Sequence, residues 1–252
     1  LGQLDEPHRQ RQGRLRIGLR LFDPGVLNAV TAVTVARTQA NIVEPTSDDC
    51  AMMLLPPQQE RDMSKTIVAM MIDQPADWEY GPILAAARAF FGLQTAIAAI
   101  EATALTSMGG VTLQPQHRLS ELDPLAADLW VLPGSPLWEQ APAPAPILAA
   151  IKARVAAGRP VAGICGATRA LAQAGLLDDR AHTSNEPGYL DDVPGYGGKA
   201  SYRDGSCISD GLVVSASGSA PISFAQACLR ILVPEQEDAI RQYRAMFARE
   251  FA

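Results

Sequence analysis

"PVAGICGATRALAQAGLL", residues 160–177, is the stretch that decides how this chain is read. A short apolar run ends at Cys165, an amphipathic run starts just beyond it, and Gly163 and Gly166 stand on either side. A structural cysteine is equally at home inside a strand or a helix and needs no glycines. In an α/β sheet the chain leaves the C-terminal end of a strand and turns sharply into a helix. A side chain on that turn stands at the top of the sheet, where pockets form. The run Gly163-Ile164-Cys165-Gly166-Ala167 keeps the neighbours small, which permits a strained backbone and lets the flanking segments approach. The helix that follows aims its N-terminal N–H groups at the sulfur, a setting expected to lower the thiol pKa. Strand, small-Cys-small and helix in that order favour a nucleophile over a core thiol. Cys50, Cys207 and Cys228 lack this context, and Cys228 in "FAQACLRIL" reads as core.

The flanking sequence has the same rhythm. "KTIVAMMID" (65–73), "QTAIAAIEA" (94–102), "GVTLQP" (110–115), "ADLWVLPG" (127–134) and "RPVAGIC" (159–165) read as strands. "WEYGPILAAARAFFG" (78–92) and "PAPILAAIKARVAAG" (144–158) read as helices ended by glycine. "PISFAQACLRIL" (221–232) and "PEQEDAIRQYRAMFAREF" (234–251) add two more. Strands alternating with helices across short Gly/Pro turns predict a mostly parallel sheet covered by helices.

Composition narrows the function. With 252 residues, 48% of them hydrophobic, the chain can bury a full core in one domain, or in one domain plus an appendage. A net charge of −6 argues against a nucleic-acid partner, which needs a basic face. No apolar stretch reaches the length of a membrane span. The four cysteines are far apart and form no CxxC pair, which reads as free thiols in a reducing cytoplasm. Three histidines, His8, His117 and His182, make a multi-histidine metal centre an unpromising idea, so no metal or cofactor is expected.

Residues 1–62 show no comparable succession of elements and hold a single aromatic residue, Phe22. Leu1 fits literal translation of a TTG or CTG start codon, and the codons of "QQER" before Met63 can be purine-rich, like a bacterial ribosome-binding site. Two readings stay open: a gene-start artefact with the native protein beginning at Met63, or a poorly ordered extension. The domain itself is expected over residues 63–252, its last helix starting near residue 235.

The block "VAGICGATRALAQAGLLDDRAHTSN" resembles the ThiJ/PfpI family of the class I glutamine amidotransferase-like superfamily, which contains the parkinsonism-associated deglycase and the PfpI peptidases. "MIDQPADWEYGPI" (71–83), "LWVLPGSPLWE" (129–139) and "VVSASGSAPISFA" (213–225) support it in the expected order. The resemblance runs from about Met63 to about Leu232. It implies a flavodoxin-like three-layer α/β sandwich with a nucleophile-elbow cysteine, and a homodimer.

Residue by residue, the resemblance implies that Cys165 is the elbow cysteine and Glu79 the carboxyl group that contacts it. Beside a thiolate such a carboxyl tends to keep its proton and donate it to sulfur. A solvated acid in a helix's first turn is the plainer alternative, and Asp77 is the competing carboxylate. His182 matches a position where many relatives place a histidine near the elbow, as general base or acid, against the alternative of a surface histidine. His117 reads as surface. Backbone N–H groups of Gly166 and of the turn Gly134–Ser135 are candidates for an oxyanion site, although a tight loop also selects Pro-Gly-Ser. The Gly/Pro-rich segment 183–198 reads as a loop beside the pocket, with Asn185, Tyr189 and Tyr196 as substrate contacts. Two departures weaken particular activities. Glutaminase domains read G-x-C-x-G where Ala167 stands, and the peptidase branch has histidine where Gly166 stands.

The expectation is therefore a cysteine-dependent enzyme acting on a small electrophile. Its reaction would be hydrolysis of a small amide or ester, or hydration or rearrangement of a reactive carbonyl. A non-enzymatic redox or stress sensor, or chaperone, using oxidation of Cys165 is the alternative. A ligand-binding regulatory domain ranks below both.

Overall fold

The computed structural model describes residues 65–249. Their elements run β1 (Thr66–Met70), α1 (Asp77–Ala89), β2 (Gln94–Ala99), β3 (Leu105–Thr106), β4 (Thr112–Leu113), β5 (His117–Arg118), β6 (Leu129–Leu132), α2 (Leu137–Gln140), α3 (Ala145–Ala156), β7 (Val161–Ile164), α4 (Ala167–Gln173), β8 (Cys207–Asp210), β9 (Val213–Ala216), α5 (Pro221–Leu232) and α6 (Glu237–Ala248). The reading of residues 1–62 lies outside the described residues.

The strands β1, β6, β7 and β9 are short and almost wholly apolar because both of their faces are buried. Their side chains alternate between two cores. Ile67, Ala69, Leu129, Val131, Ala162 and Val214 face α1, α5 and α6. Val68, Met70, Trp130, Leu132, Val161 and Val213 face α3 and α4. The result is a three-layer α/β sandwich with the strand order β5-β2-β1-β6-β7-β9-β8. All pairings in this sheet are parallel except β8 with β9. The inner order β2-β1-β6-β7-β9 is that of the flavodoxin-like doubly wound folds, which bind ligands outside the carboxyl ends of their strands.

Two details differ from the sequence reading. "GVTLQP" does not extend the main sheet; only Thr112–Leu113 is extended, in a two-stranded antiparallel ribbon with β3. It is too short and too exposed to enter a sheet covered on both faces. The edge strands β5 and β8 were not anticipated, since His117–Arg118 and "CISD" carry none of the apolar pattern of the centre. Among the described residues, no helix is long and apolar enough to cross a membrane.

Candidate active site

Four neighbouring parallel strands each deliver one part of the site from their C-terminal ends. Beyond β1 the chain enters α1, where Glu79 lies in the first turn. After β6 comes Gly134, after β7 Cys165, and after β9 Gly218. Cys165 sits at φ 58°, the left-handed region that non-glycine residues adopt at a cost of roughly 1 kcal/mol or more. The turn is pinned on both sides. The Cys165 N–H donates to Ala216 O (2.9 Å), and Cys165 O accepts from Thr168 N (3.1 Å) and Thr168 Oγ1 (2.6 Å).

Glu79 belongs to the buried stripe of α1, together with Ile83, Ala86 and Ala87, and is itself 0% exposed. Its Oε2 accepts the Gly134 N–H at 2.6 Å, whereas Oε1 accepts no hydrogen bond from the described residues. Asn185 Nδ2 donates to Cys165 Sγ at 3.4 Å, and Asn185 Oδ1 accepts the Gly218 N–H at 3.0 Å, which orients the amide toward the sulfur. The walls must be glycine. A Cβ on Gly134 would lie 2.6 Å from Glu79 Oε2, and one on Gly218 would lie 2.7 Å from Sγ and 3.0 Å from Oε1.

Burial pushes the Glu79 carboxyl up to about 7, against the stabilising Gly134 N–H and the contact with Cys165. Burial, and then the charge of Glu79, push the Cys165 thiol up to about 11, while Asn185 and the Gly166 N–H act the other way. The expectation of a lowered thiol pKa counted the helix end and left out burial, which outweighs it. Two groups this close titrate as a pair, and from about pH 7 to about pH 11 they hold one proton between them.

The remaining expected site residues separate into those near the sulfur and those that are not. Asp77 accepts from Tyr80 Oη (2.8 Å) and Gly109 N (2.7 Å), so Glu79 is the carboxylate beside the thiol. His182 is not at the sulfur. It is 0% exposed, with Nδ1 2.7 Å from Arg180 O and Nε2 2.7 Å from Tyr196 Oη, and its ring is edge-on to Tyr196 and Tyr202. Its place is a polar anchor within the long loop between α4 and β8, and Tyr196 is occupied in the same contact. The Gly134 N–H is taken by Glu79, which leaves Ser135 N–H, unpaired among the described residues, and Gly166 N–H as oxyanion candidates. Ser135 Oγ donates to Asp73 O (2.7 Å) and so fixes its own turn. The Tyr189 hydroxyl donates to Glu139, and its ring lies over the Arg169 guanidinium, 5.6 Å from ring centroid to Cζ. Arg169 is held in turn by Asp192 at 2.7 and 3.0 Å.

Gly218 escaped the sequence reading, although its stretch was recognised; only contact geometry distinguishes it from any other turn glycine. Asn185 was expected against substrate and stands against the sulfur instead. Among the described residues, no group of three or more His, Cys, Asp or Glu side chains could hold a metal ion.

The fold and family are those of known proteins. The family model described as the DJ-1/PfpI family matches residues 65–231. A Bacillus subtilis (strain 168) protein named uncharacterized protease YoaZ is 34% identical over 176 residues, which is 67% of this chain and 83% of that protein. The crystal structure of the DJ-1 superfamily protein Atu0886 from Agrobacterium tumefaciens is 38% identical and superposes with a TM-score of 0.67, covering 74% of this chain and all (100%) of the other. A thiJ/pfpI family protein from Bacillus anthracis is 33% identical with a TM-score of 0.67, over 72% of this chain and 89% of the other. On the family match across its sheet and on these identities, the chain belongs to the DJ-1/PfpI family.

Proposed function

We propose that this protein is a cysteine-dependent enzyme acting on a small electrophile, with Cys165 as nucleophile and Glu79 as its proton partner. The observation that carries this reading is the fully buried Glu79 carboxyl, with one oxygen unpaired, beside a thiol on a strained turn. A buried unpaired carboxylate and a left-handed cysteine both cost stability, and such costs concentrate where chemistry needs them. The reactive form has the shared proton on Glu79 Oε1, which gives that oxygen a partner and leaves a thiolate facing the Asn185 amide and the Gly166 N–H.

The sulfur then adds to a carbonyl carbon. The C–S bond forms, and the C=O π pair moves to oxygen, where the Gly166 and Ser135 N–H groups receive it. Glu79 gives its proton either to that oxygen, for an aldehyde, or to the departing alkoxide or amine, for an ester or amide. An ester or amide so becomes an acyl-sulfur intermediate, and the hemithioacetal of a 2-oxoaldehyde becomes one by moving hydrogen from C1 to C2. Water then breaks the C–S bond, its hydroxyl going to the acyl carbon and its proton to the Cys165–Glu79 pair. With His182 engaged elsewhere, Glu79 is the titratable group in position for both proton transfers.

The test is turnover by the purified protein and its Cys165→Ala and Glu79→Gln variants with methylglyoxal, small amides and aryl esters. Turnover that falls at least about a hundredfold in both variants supports the enzyme. Turnover that survives in Cys165→Ala contradicts it. The sensor reading gains if no substrate turns over and mild peroxide adds two oxygens to Cys165.

A further inference from the structure

Asn185, which donates to the Cys165 sulfur, lies in a stretch with neither helix nor strand between Gln173 and Gly198. Irregular chain does not by itself hold an amide 3.4 Å from a sulfur, so the anchors of the stretch decide whether that hydrogen bond forms.

The anchors on both sides of Asn185 come from the first turn of α4, the helix that starts two residues after the nucleophile. On one side Thr168 Oγ1 donates to Cys165 O at 2.6 Å and stands 2.6 Å from the hydroxyl of Ser184, the residue before Asn185. On the other, Arg169 Nη1 donates to Tyr189 O at 3.0 Å and to Asp192 Oδ1 at 2.7 Å, while Nη2 donates to Asp192 Oδ2 at 3.0 Å. The guanidinium also lies over the Tyr189 ring, whose hydroxyl donates to Glu139 of α2. The Tyr189 N–H donates to Glu186 O at 3.2 Å, which carries the hold on Tyr189 back to the neighbour of Asn185. The Gly218 N–H on Asn185 Oδ1 then sets which end of the amide meets the sulfur.

As a device for stability the Arg169 arrangement is poor. Its side chain is 12% exposed, its Nε is buried with no acceptor among the described residues, and the Asp192 side chain is 74% exposed. A guanidinium withdrawn from water with a donor left over, against a solvated partner, gains little free energy. Its geometry is specific all the same. Fork, carbonyl and ring together fix one position of Tyr189, which a lysine could not do. The Tyr189 hydroxyl is pushed above its ordinary value by burial, by Glu139 and by the charge of Cys165, so the clamped residue is within electrostatic reach of the sulfur.

We infer that Arg169 is a positioning residue for Cys165: its clamp on Tyr189 and Asp192, with Thr168 on Ser184, holds Asn185 where it stabilises the thiolate. This rests on the reading of Cys165 and Glu79 as a pair that shares a proton.

Carbon NMR of the Cys165 Cβ tests it, in the full chain made with labelled cysteine, the signal being identified by its loss in Cys165→Ala. The shift reads the thiolate fraction just above pH 7, where the pair holds one proton. Asn185→Leu and Arg169→Met should each lower that fraction, by about threefold or more. Added to Asn185→Leu, Arg169→Met should lower it no further, while its effect on the melting temperature should be the same in both backgrounds. A merely structural arginine would show no such split. If Arg169→Met does not fold, Asp192→Ala carries the test, since it removes an exposed side chain and should lower the fraction in the same direction. A parental fraction in Arg169→Met or Asp192→Ala, with Asn185→Leu lowered, would overturn the inference and leave the pair intact. So would a further loss on adding Arg169→Met to Asn185→Leu, or an unchanged Asn185→Leu. A parent with no thiolate at this pH would contradict the pair itself, and the clamp with it.

Discussion

At the scale of the residue, Glu79 makes the molecule's stability depend on pH. Its carboxyl titrates near 4.5 in the unfolded chain and at about 7 in the fold. Between those values the unfolded chain has already lost the proton, so ionisation favours unfolding and stability falls as pH rises from 4.5 through 7. The fall amounts to at most about 3 kcal/mol. Glu79→Gln should flatten this dependence: thermal melts at pH 5 and pH 8 should lie closer together in the variant than in the parent. Gly218→Ala tests the packing around the same pair. Its Cβ would lie 2.7 Å from Sγ and 2.9 Å from the Cys165 Cβ, so a shift of the thiol and a loss of roughly 1–3 kcal/mol are expected in a melt. A variant as stable and as reactive as the parent would mean that the site is looser than it is built. Cys165 and Glu79 were legible in the sequence for different reasons. The cysteine announces itself by its glycines, whereas the glutamate is named only through the family resemblance, and its place in the buried stripe of Ile83, Ala86 and Ala87 comes from the fold. Asn185 was misassigned because its hydrogen bond spans 20 positions of irregular chain, where no periodicity reports which way a side chain points.

At the scale of the element, the strand-to-helix turn at Cys165 and the long segment between α4 and β8 play separate parts. The turn holds the sulfur at φ 58° through its own hydrogen bonds. The segment is held by buried polar contacts: His182 to Arg180 O and Tyr196, Thr183 N to Ser215 Oγ (2.9 Å), and Thr168 Oγ1 with Ser184 Oγ (2.6 Å). His182→Ala removes two hydrogen bonds from a 0% exposed site and should cost about 2–4 kcal/mol in denaturant titrations. Its effect on turnover, measured well below the melting temperature, should be smaller than that of Glu79→Gln. The reverse order would return the proton-carrier role to His182. The sequence could not separate these roles, since a histidine anchoring a loop and a histidine serving a thiol are preceded by the same residues. The central strands were legible because both of their faces are buried. The edge strands β5 and β8 were not, because β5 is two exposed residues and β8 is only partly buried.

At the scale of the whole molecule, the sheet order explains why these residues meet. β1, β6, β7 and β9 are adjacent and parallel, so the chain exits from all four on the same side, and Glu79, Gly134, Cys165 and Gly218 converge although 139 positions separate the first from the last in sequence (218 − 79). The parallel alternation of strands and helices was readable from the chain. The convergence was not, because it depends on which strands are neighbours. The central claim is that Cys165 and Glu79 share one proton and that the thiolate form is reached near neutrality through Glu79. The direct test is the rate of Cys165 alkylation against pH, followed by mass spectrometry, in the parent and in Glu79→Gln. The parent should show a rise in rate near pH 7, where the pair loses its first proton. Glu79→Gln should lack that step: without the carboxylate charge its thiol ionises alone, below the parent's upper step at about 11, and its rate keeps climbing by about tenfold per pH unit above pH 7, where the parent levels off. Superimposable profiles, or a step near pH 7 that persists in Glu79→Gln, would contradict the account.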